Sequence, residues 1–382
     1  MIRTLSPMLA LLLVTACGDG NPLFTDEVEL PPDLVDETDP NVSVTNRFAF
    51  DLDRNLTMNA VRYDEANDEL VINNIPFDGP DGRYDRAGTL ANGGGYYASR
   101  ETPTTGQIQS YAVFLRSDVL EATAANGAEW LDFGYGGANI NRENFNLPDS
   151  GEYVYVGVYS GLRTFDDRSG LELVAGDISL LLDIDDLDPS GDIQGSILGT
   201  VDNRRVTPLV GGGSNYGLPA ISLARVSFDT SQGFFENGES FTYGRDGNEI
   251  GSGTYEGLIA GAEGEEIGGY VILEGVAREV TIQYEVVTYE FVEEVETEIG
   301  DLTLVQEVRR SRTVSGIDGL TTDDLQDLVD SRQNIPTFSV DESDFPDGAE
   351  VTERETVQRD FETSYNAREL GVFLTDQLDI DR

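Results

Sequence analysis

From Asn46 onward the chain runs in short stretches of alternating apolar and polar residues broken by Gly, Asn and Asp, the period of two that belongs to β-strands. Phe48–Leu52, Thr57–Tyr63, Glu69–Asn73 and Gln107–Arg116 are expected strands, whereas Leu120–Ala125 is expected to be a helical turn or a loop. The signal sharpens at Tyr153. Tyr153, Tyr155, Gly157 and Tyr159 fall on one face and Val154, Val156 and Val158 on the other, so both faces are apolar and a cover is expected on each. Gly157 in mid-strand predicts a close approach or a bend. Leu171–Ile184, Ile193–Val201, Ile221–Phe228, Gly233–Phe241, Gly253–Ala260 and Gly268–Gly275 follow, with turns at 168–170, 188–191 and 246–248. No helix-length crossover separates them, which excludes a parallel sheet and predicts an antiparallel up-and-down meander closing into a barrel.

Beyond Val280 the pattern changes. Thr281–Val286 alternates, and Val287–Phe291 alternates in the opposite phase, which predicts a β-bulge or strong twist in one long strand. Leu302–Val314 is the expected partner strand. Thr322–Val329 is expected to be a short helix, with Thr321 or Thr322 as N-cap, acids in its first turn and Leu325, Leu328 and Val329 on one face. Glu350–Phe361 alternates weakly, as an exposed charged ribbon would. Tyr284, Tyr289 and Phe291 are the aromatics such a ribbon would offer to a partner.

The segment ahead of Asn46 cannot form a core. Residues 18–45 hold eight acids, four prolines and no basic residue, a self-repelling tether with an r.m.s. span of roughly 30 Å. Before it, Arg3 and the apolar run Met8–Val14 read as a secretory signal, too short to span a bilayer. The run Leu13-Val14-Thr15-Ala16-Cys17 is similar to the lipobox of bacterial lipoproteins. It implies cleavage after Ala16 and lipidation of Cys17, the sole cysteine, which makes the membrane the first expected partner. Gly18 after it, in place of the aspartate associated with inner-membrane retention, points to the outer membrane.

Charge narrows the function classes. Without residues 1–16 the chain has 23 basic residues, all Arg, against 72 acids, a net −49. Such a surface repels nucleic acid and anionic headgroups, and its lack of Lys fits a salt-adapted protein. His is absent, which removes Ser-His-Asp and Cys-His catalysis and His-ligated zinc. Any enzymology would rest on paired carboxylates, as in a glycosidase.

The candidate sites are weak. In Asp183–Asp192 the EF-hand spacing fails, with Asp188 where Gly is needed and Gln194 where Glu is needed. Asp51–Asn55 also reads as a solvated turn. Gly211–Gly217 lacks the Gly-Lys-Ser ending of a phosphate loop. Glu263, Glu265 and Glu266 could form an acid pair, and Trp130, Phe133 and Tyr135 could stack on a ligand or form a satellite core. No catalytic residue or metal ligand is assigned and no cofactor is expected. The ligand-binding residues stay unknown.

Two stretches resemble a known family. Gly253-Thr254-Tyr255-Glu256-Gly257 running into Glu266-Ile267-Gly268-Gly269 is similar to the strands ending the barrel of transferrin-binding protein B-like surface lipoproteins. Gly157-Val158-Tyr159-Ser160-Gly161 resembles the strand that opens such barrels, and Gly176–Asp183 followed by Ile193–Gly195 resembles the next hairpin. Leu258 stands where the family usually has Pro. The resemblance covers roughly residues 150–280 and implies an eight-stranded barrel on a lipidated stalk, with 46–148 in place of the small β-rich handle. Ala367–Leu374 then looks like the closing strand, which makes about 281–365 an insertion. The expected whole is an all-β protein: signal 1–16, lipidated Cys17 and tether 17–45, a small β-rich region 46–148, and an eight-stranded antiparallel barrel 149–382 carrying a ribbon-plus-helix insertion. The expected function is that of a lipid-anchored, non-catalytic binding module with a protein or small-ligand partner. The alternative is a structural envelope component assembling through its acidic ribbon.

Overall fold

A computed structural model describes residues 45–73, 75, 82–100, 109–127, 132–147, 150–166, 168–187, 193–331 and 333–378. Cys17, the tether through Val44, Trp130 and Asp188–Asp192 lie outside these residues.

The first sheet contains β1 (Asn46–Phe48), β2 (Ala60–Asp64), β3 (Glu69–Asn73), β4 (Arg83–Thr89), β5 (Gly95–Ser99), β6 (Ser110–Arg116), β7 (Leu120–Gly127) and β8 (Gly136–Arg142). It is a curled antiparallel meander in the order β1-β8-β7-β6-β5-β4-β3-β2. The barrel follows: β9 (Glu152–Phe165), β10 (Arg168–Leu187), β11 (Ile193–Val210), the two-residue β12 (Tyr216–Gly217) against β11, β13 (Ile221–Phe228), β14 (Phe234–Tyr243), β15 (Glu249–Ala260) and β16 (Glu266–Val276). Between β16 and the last strand come β17 (Glu279–Ile299), β18 (Leu302–Ser315), α1 (Thr322–Asp330) and β19 (Glu350–Glu362). β20 (Asn366–Gln377) then pairs with β16 on one side and β9 on the other, and β10 pairs with β11, closing eight antiparallel strands. Gly268 lies opposite Leu374 and Gly275 opposite Ala367, the pairing a closing strand requires.

Three layers of side chains hold these sheets. Phe48, Met58, Leu70, Ile72, Tyr84 and Tyr97 fill the concave side of the curled sheet. Its other face lies on the outside of the barrel, where Val113, Leu115, Leu120, Ala122, Ala124 and Ile140 share a core with Leu162, Tyr270, Ile272, Leu370 and Val372. The third layer, inside the barrel, holds Tyr155, Tyr159, Ile178, Leu180, Leu182, Ile197, Phe235, Tyr255, Val271 and Phe373.

That sandwich corrects the reading of Leu120–Ala125 as a helical turn or a loop. The segment is β7: Leu120, Ala122 and Ala124 face the barrel wall, with Glu121 and Thr123 between them, while Ala125 faces the concave core. Small residues permit close layers on both sides. The reading of the first barrel strand needs the opposite adjustment. Tyr155 and Tyr159 point inward as expected, but the outer face is covered only in part: Val158 packs against the shared core and Val156 is exposed. Gly157 is a close approach, since a Cβ there would collide with the Leu374 carbonyl. The expected turn at 168–170 is instead the start of β10, with a register shift before Glu172.

Two buried arginines with no carboxylate partner among the described residues rivet the curled sheet to the barrel. Arg142 donates to the carbonyls of Gly233 and Ile259 at 2.7 Å and of Gln232 at 2.6 Å, and burial pushes its guanidinium down to about 10. Arg368 on β20 reaches back to the carbonyls of Arg54 at 2.5 Å and Gly134 at 2.7 Å, and burial likewise pushes it down to about 10.

The insertion has its own small core of Val280, Ile282, Leu325 and Val329, with Tyr284, Phe338 and Phe361 at its margin. Thr321 caps α1 in a capping box with Asp324, as the sequence predicts. The phase slip in β17 is also present. Val280 and Ile282 are buried on one side, Val287 and Tyr289 on the other, and the register against β19 shifts between Thr288 and Tyr289.

Candidate functional site

Within the barrel there is no ligand chamber among the described residues, because side chains fill it. At one end the filling is ionic. Glu172, Arg163 and Glu369 are lateral neighbours on β10, β9 and β20, so strand register alone sets them in a row. Arg163 meets Glu172 at 2.9 Å and Glu369 at 3.4 Å. Arg204 from β11 bonds the same Glu369 oxygen, Tyr159 donates to Glu369 at 2.7 Å, and Tyr216 donates to Glu172 at 2.7 Å. Burial, then the Glu369 charge, pushes the Tyr159 hydroxyl well above its usual range. Both Glu369 oxygens and one Glu172 oxygen are held by arginine and tyrosine donors, which suits a structural plug better than proton transfer.

The sequence candidates are placed as follows. The Glu265 carboxylate accepts from the N–H groups of Glu263 at 2.7 Å and Ala262 at 3.3 Å, which lowers its pKa. Glu266 bonds Ser117, and burial raises its carboxyl, with Asp376, Glu265 and Asp118 adding to the rise. Glu266 and Asp376 are cross-strand partners lining a groove of about 320 Å³. They stand side by side on one wall, whereas glycoside hydrolysis needs carboxylates flanking the bond. Asp51 caps the N–H of Asp53 at 3.0 Å, and Arg54 pairs with Glu274 at 2.7 Å, so that segment is a satisfied turn. Asp183 lies 3.9 Å from Arg225, and no group of acids among the described residues is arranged to hold a metal ion. Gly211–Asn215 is a loop with no helix after it, and Phe133 packs under Arg368. None of these converges on a common point.

Two of the three aromatics expected to face a partner, Tyr284 and Tyr289, do not. Tyr289 is buried, stacked on Phe345 with ring centroids 4.0 Å apart, and Tyr284 lies against the helix core beside Phe338. The segment after α1 folds back over β17, with Phe338 bonded to Gln283 and Glu285, and covers them. The exposed apolar surface lies farther out. β19 pairs with β17 only as far as Glu290, so Phe291–Ile299 and Leu302–Arg310 project as a two-stranded arm about 30 Å long, turned by Gly300 at φ 65°.

The register gives the arm two unlike faces. One carries Phe291, Glu293, Val295, Thr297 and Ile299 with Leu302, Leu304, Gln306, Val308 and Arg310, its charged pair Glu293 and Arg310 lying at the base and its apolar residues toward the tip. Ile299 is 61%, Leu302 72% and Leu304 55% exposed, so this face is uncovered. The opposite face carries Val292, Glu294, Glu296 and Glu298 with Thr303, Val305, Glu307 and Arg309; it is richer in Glu, though Val292 and Val305 are exposed on it, and it sets Glu294 directly across from Glu307. Opposed like charges destabilise a ladder, and a lone two-stranded ribbon is marginal in water. The sequence signal was the repeat of Glu with Val, Thr and Ile through 293–299, which shows alternation but not which side lacks a cover. No protein-family model matches the chain, and no curated protein is similar to it.

Proposed function

We propose that this protein is a lipid-anchored, non-catalytic binding module of the outer membrane, built like the transferrin-binding protein B-like surface lipoproteins, and that its arm is the element that grips a partner protein. The carrying observation is the uncovered amphipathic arm: its apolar face supplies area, and its Glu-rich face supplies sign. The partner is basic, because an arginine or lysine between Glu294 and Glu307 would relieve the repulsion that destabilises the free arm. Self-assembly through the same face would set like charges together, which disfavours the purely structural reading. The barrel core supports a scaffold role, since among the described residues side chains fill it and the cavity at its ionic end is only about 30 Å³.

The anchor and the arm are tested separately. Cys17→Ser should release the protein from membranes and abolish incorporation of labelled palmitate; retention of label would remove the anchor from the proposal. For the arm, a photo-crosslinking residue at Leu304 in producing cells should trap one protein, which is then purified. That protein should bind at least about 100-fold more weakly to a variant with residues 292–309 replaced by a Gly-Ser turn, and about tenfold more weakly to Glu294→Lys/Glu307→Lys. Equal binding to the arm-deleted variant, absence of any crosslink, or crosslinks only to a second copy would overturn the reading.

A further inference from the structure

At the ionic end of the barrel lies a cavity of about 30 Å³, lined by Arg163, Arg204, Arg278, Thr242, Glu279 and Glu369 among others. That is room for one occupant of water or halide size. Its hydrogen-bond inventory is one-sided. The Glu369 carboxylate is taken up by Tyr159, Arg204 and Arg163, and Glu279 accepts from the N–H of Arg245 with both oxygens at 3.2 Å. What remains is donors. Arg204, with a side chain only 2% exposed, has a buried Nε–H without an acceptor, and Arg278 has a buried Nη1–H without one, both among the described residues.

Arg278 is notable for a second reason. In a chain whose acids outnumber its arginines 72 to 24, its guanidinium finds no carboxylate among the described residues and lies 4.5 Å over the Tyr216 ring. A water molecule would meet two donors but bring two of its own, and the carboxylates that line the cavity are engaged, which leaves the Thr242 hydroxyl as its side-chain acceptor there. An anion brings none. Beyond Arg278 a second hollow of about 310 Å³, between Leu218, Pro219, Tyr243 and Arg245, leads outward, and Tyr243 is 47% exposed at its mouth.

We propose that this cavity is an anion site that takes one compact monovalent anion, a halide or the carboxylate end of a small acid, on Arg204 and Arg278. The site is independent of the arm, and its failure would leave the partner-binding reading untouched. The test is thermal unfolding of the purified protein in sodium chloride, sodium acetate and sodium gluconate at equal ionic strength. Chloride or acetate should raise Tm by about 2–4 °C per tenfold concentration once the site is half filled, and bulky gluconate should not. A gain with chloride alone identifies a halide site; an equal gain with acetate identifies a carboxylate site. Arg278→Gln should remove the difference between the salts. Bromide soaked into crystals should give one anomalous peak beside Arg204 and Arg278, a readout that holds even if the variant fails to fold. Equal Tm values in all three salts, a salt difference that survives Arg278→Gln, or water in place of bromide would overturn the proposal.

Discussion

Raising the pH through 11 to 13 should unfold this protein cooperatively. Tyr97, Tyr155, Tyr159, Tyr255 and Tyr270 are wholly buried, and burial raises the pKa of each. In the unfolded chain they lose their protons near pH 10 while the folded chain keeps them, so the folded state binds up to five more protons and stability falls as pH rises. Arg142 and Arg368 act in the opposite sense, because their folded values of about 10 lie below those of an exposed guanidinium. A net excess of three protons corresponds to about 4 kcal/mol per pH unit, enough to exhaust a stability of about 5–15 kcal/mol within a few units above pH 10. Tyrosinate absorbance at 295 nm should therefore rise together with the loss of the β circular-dichroism signal. Tyrosinate forming steadily from pH 10 in a chain that stays β-structured would show these hydroxyls to be accessible.

Replacing Glu369 by Leu should cost about 3–5 kcal/mol, the usual penalty for removing one member of a buried ionic network. Glu369 is the acceptor for Arg204 and Tyr159 and the neighbour of Arg163, all buried, so the substitution strips the Arg204 guanidinium of its carboxylate and the Tyr159 hydroxyl of its acceptor inside the barrel, and leaves Arg163 paired with Glu172 alone. The midpoint of urea unfolding measures the loss. Adding Arg204→Met to Glu369→Leu should restore part of it, since a buried charge is more costly alone than an apolar pair in its place. If Glu369→Leu unfolds at the same urea concentration as the wild type, the network contributes nothing to stability. Neither variant touches the arm, so partner binding should survive wherever the barrel still folds.

Much of this architecture was legible because alternation is a local property. Ile221–Phe228 coincides with β13, the Thr321 cap and the acids after it mark α1, and the phase slip at Val287 marks a real change of buried side in β17. The alternation from Tyr153 to Tyr159 likewise sets Tyr155 and Tyr159 on one face of β9, the face that the closed barrel turns inward and where Gly371 leaves room for the Tyr159 ring. Each of these needs only a few neighbouring residues to specify a backbone conformation and a facing direction.

What tertiary structure alone decided is which faces meet. β7 is a strand buried on both faces, Leu120, Ala122 and Ala124 against the barrel and Ala125 in the concave core, and that double cover is absent from Leu120–Gly127 itself. Arg163, Glu172, Arg204 and Glu369 are ordinary charged residues in the sequence and become one buried network only because β10, β9 and β20 pair in one register and β11 closes the ring. Tyr289 and Ile299 share a strand and a periodic pattern, yet Phe345 covers the first and nothing described covers the second. Periodicity fixes the direction in which a side chain points. Burial, and with it a lone guanidinium's need for an anion or an uncovered face's need for a partner, depends on what distant chain is brought to meet it.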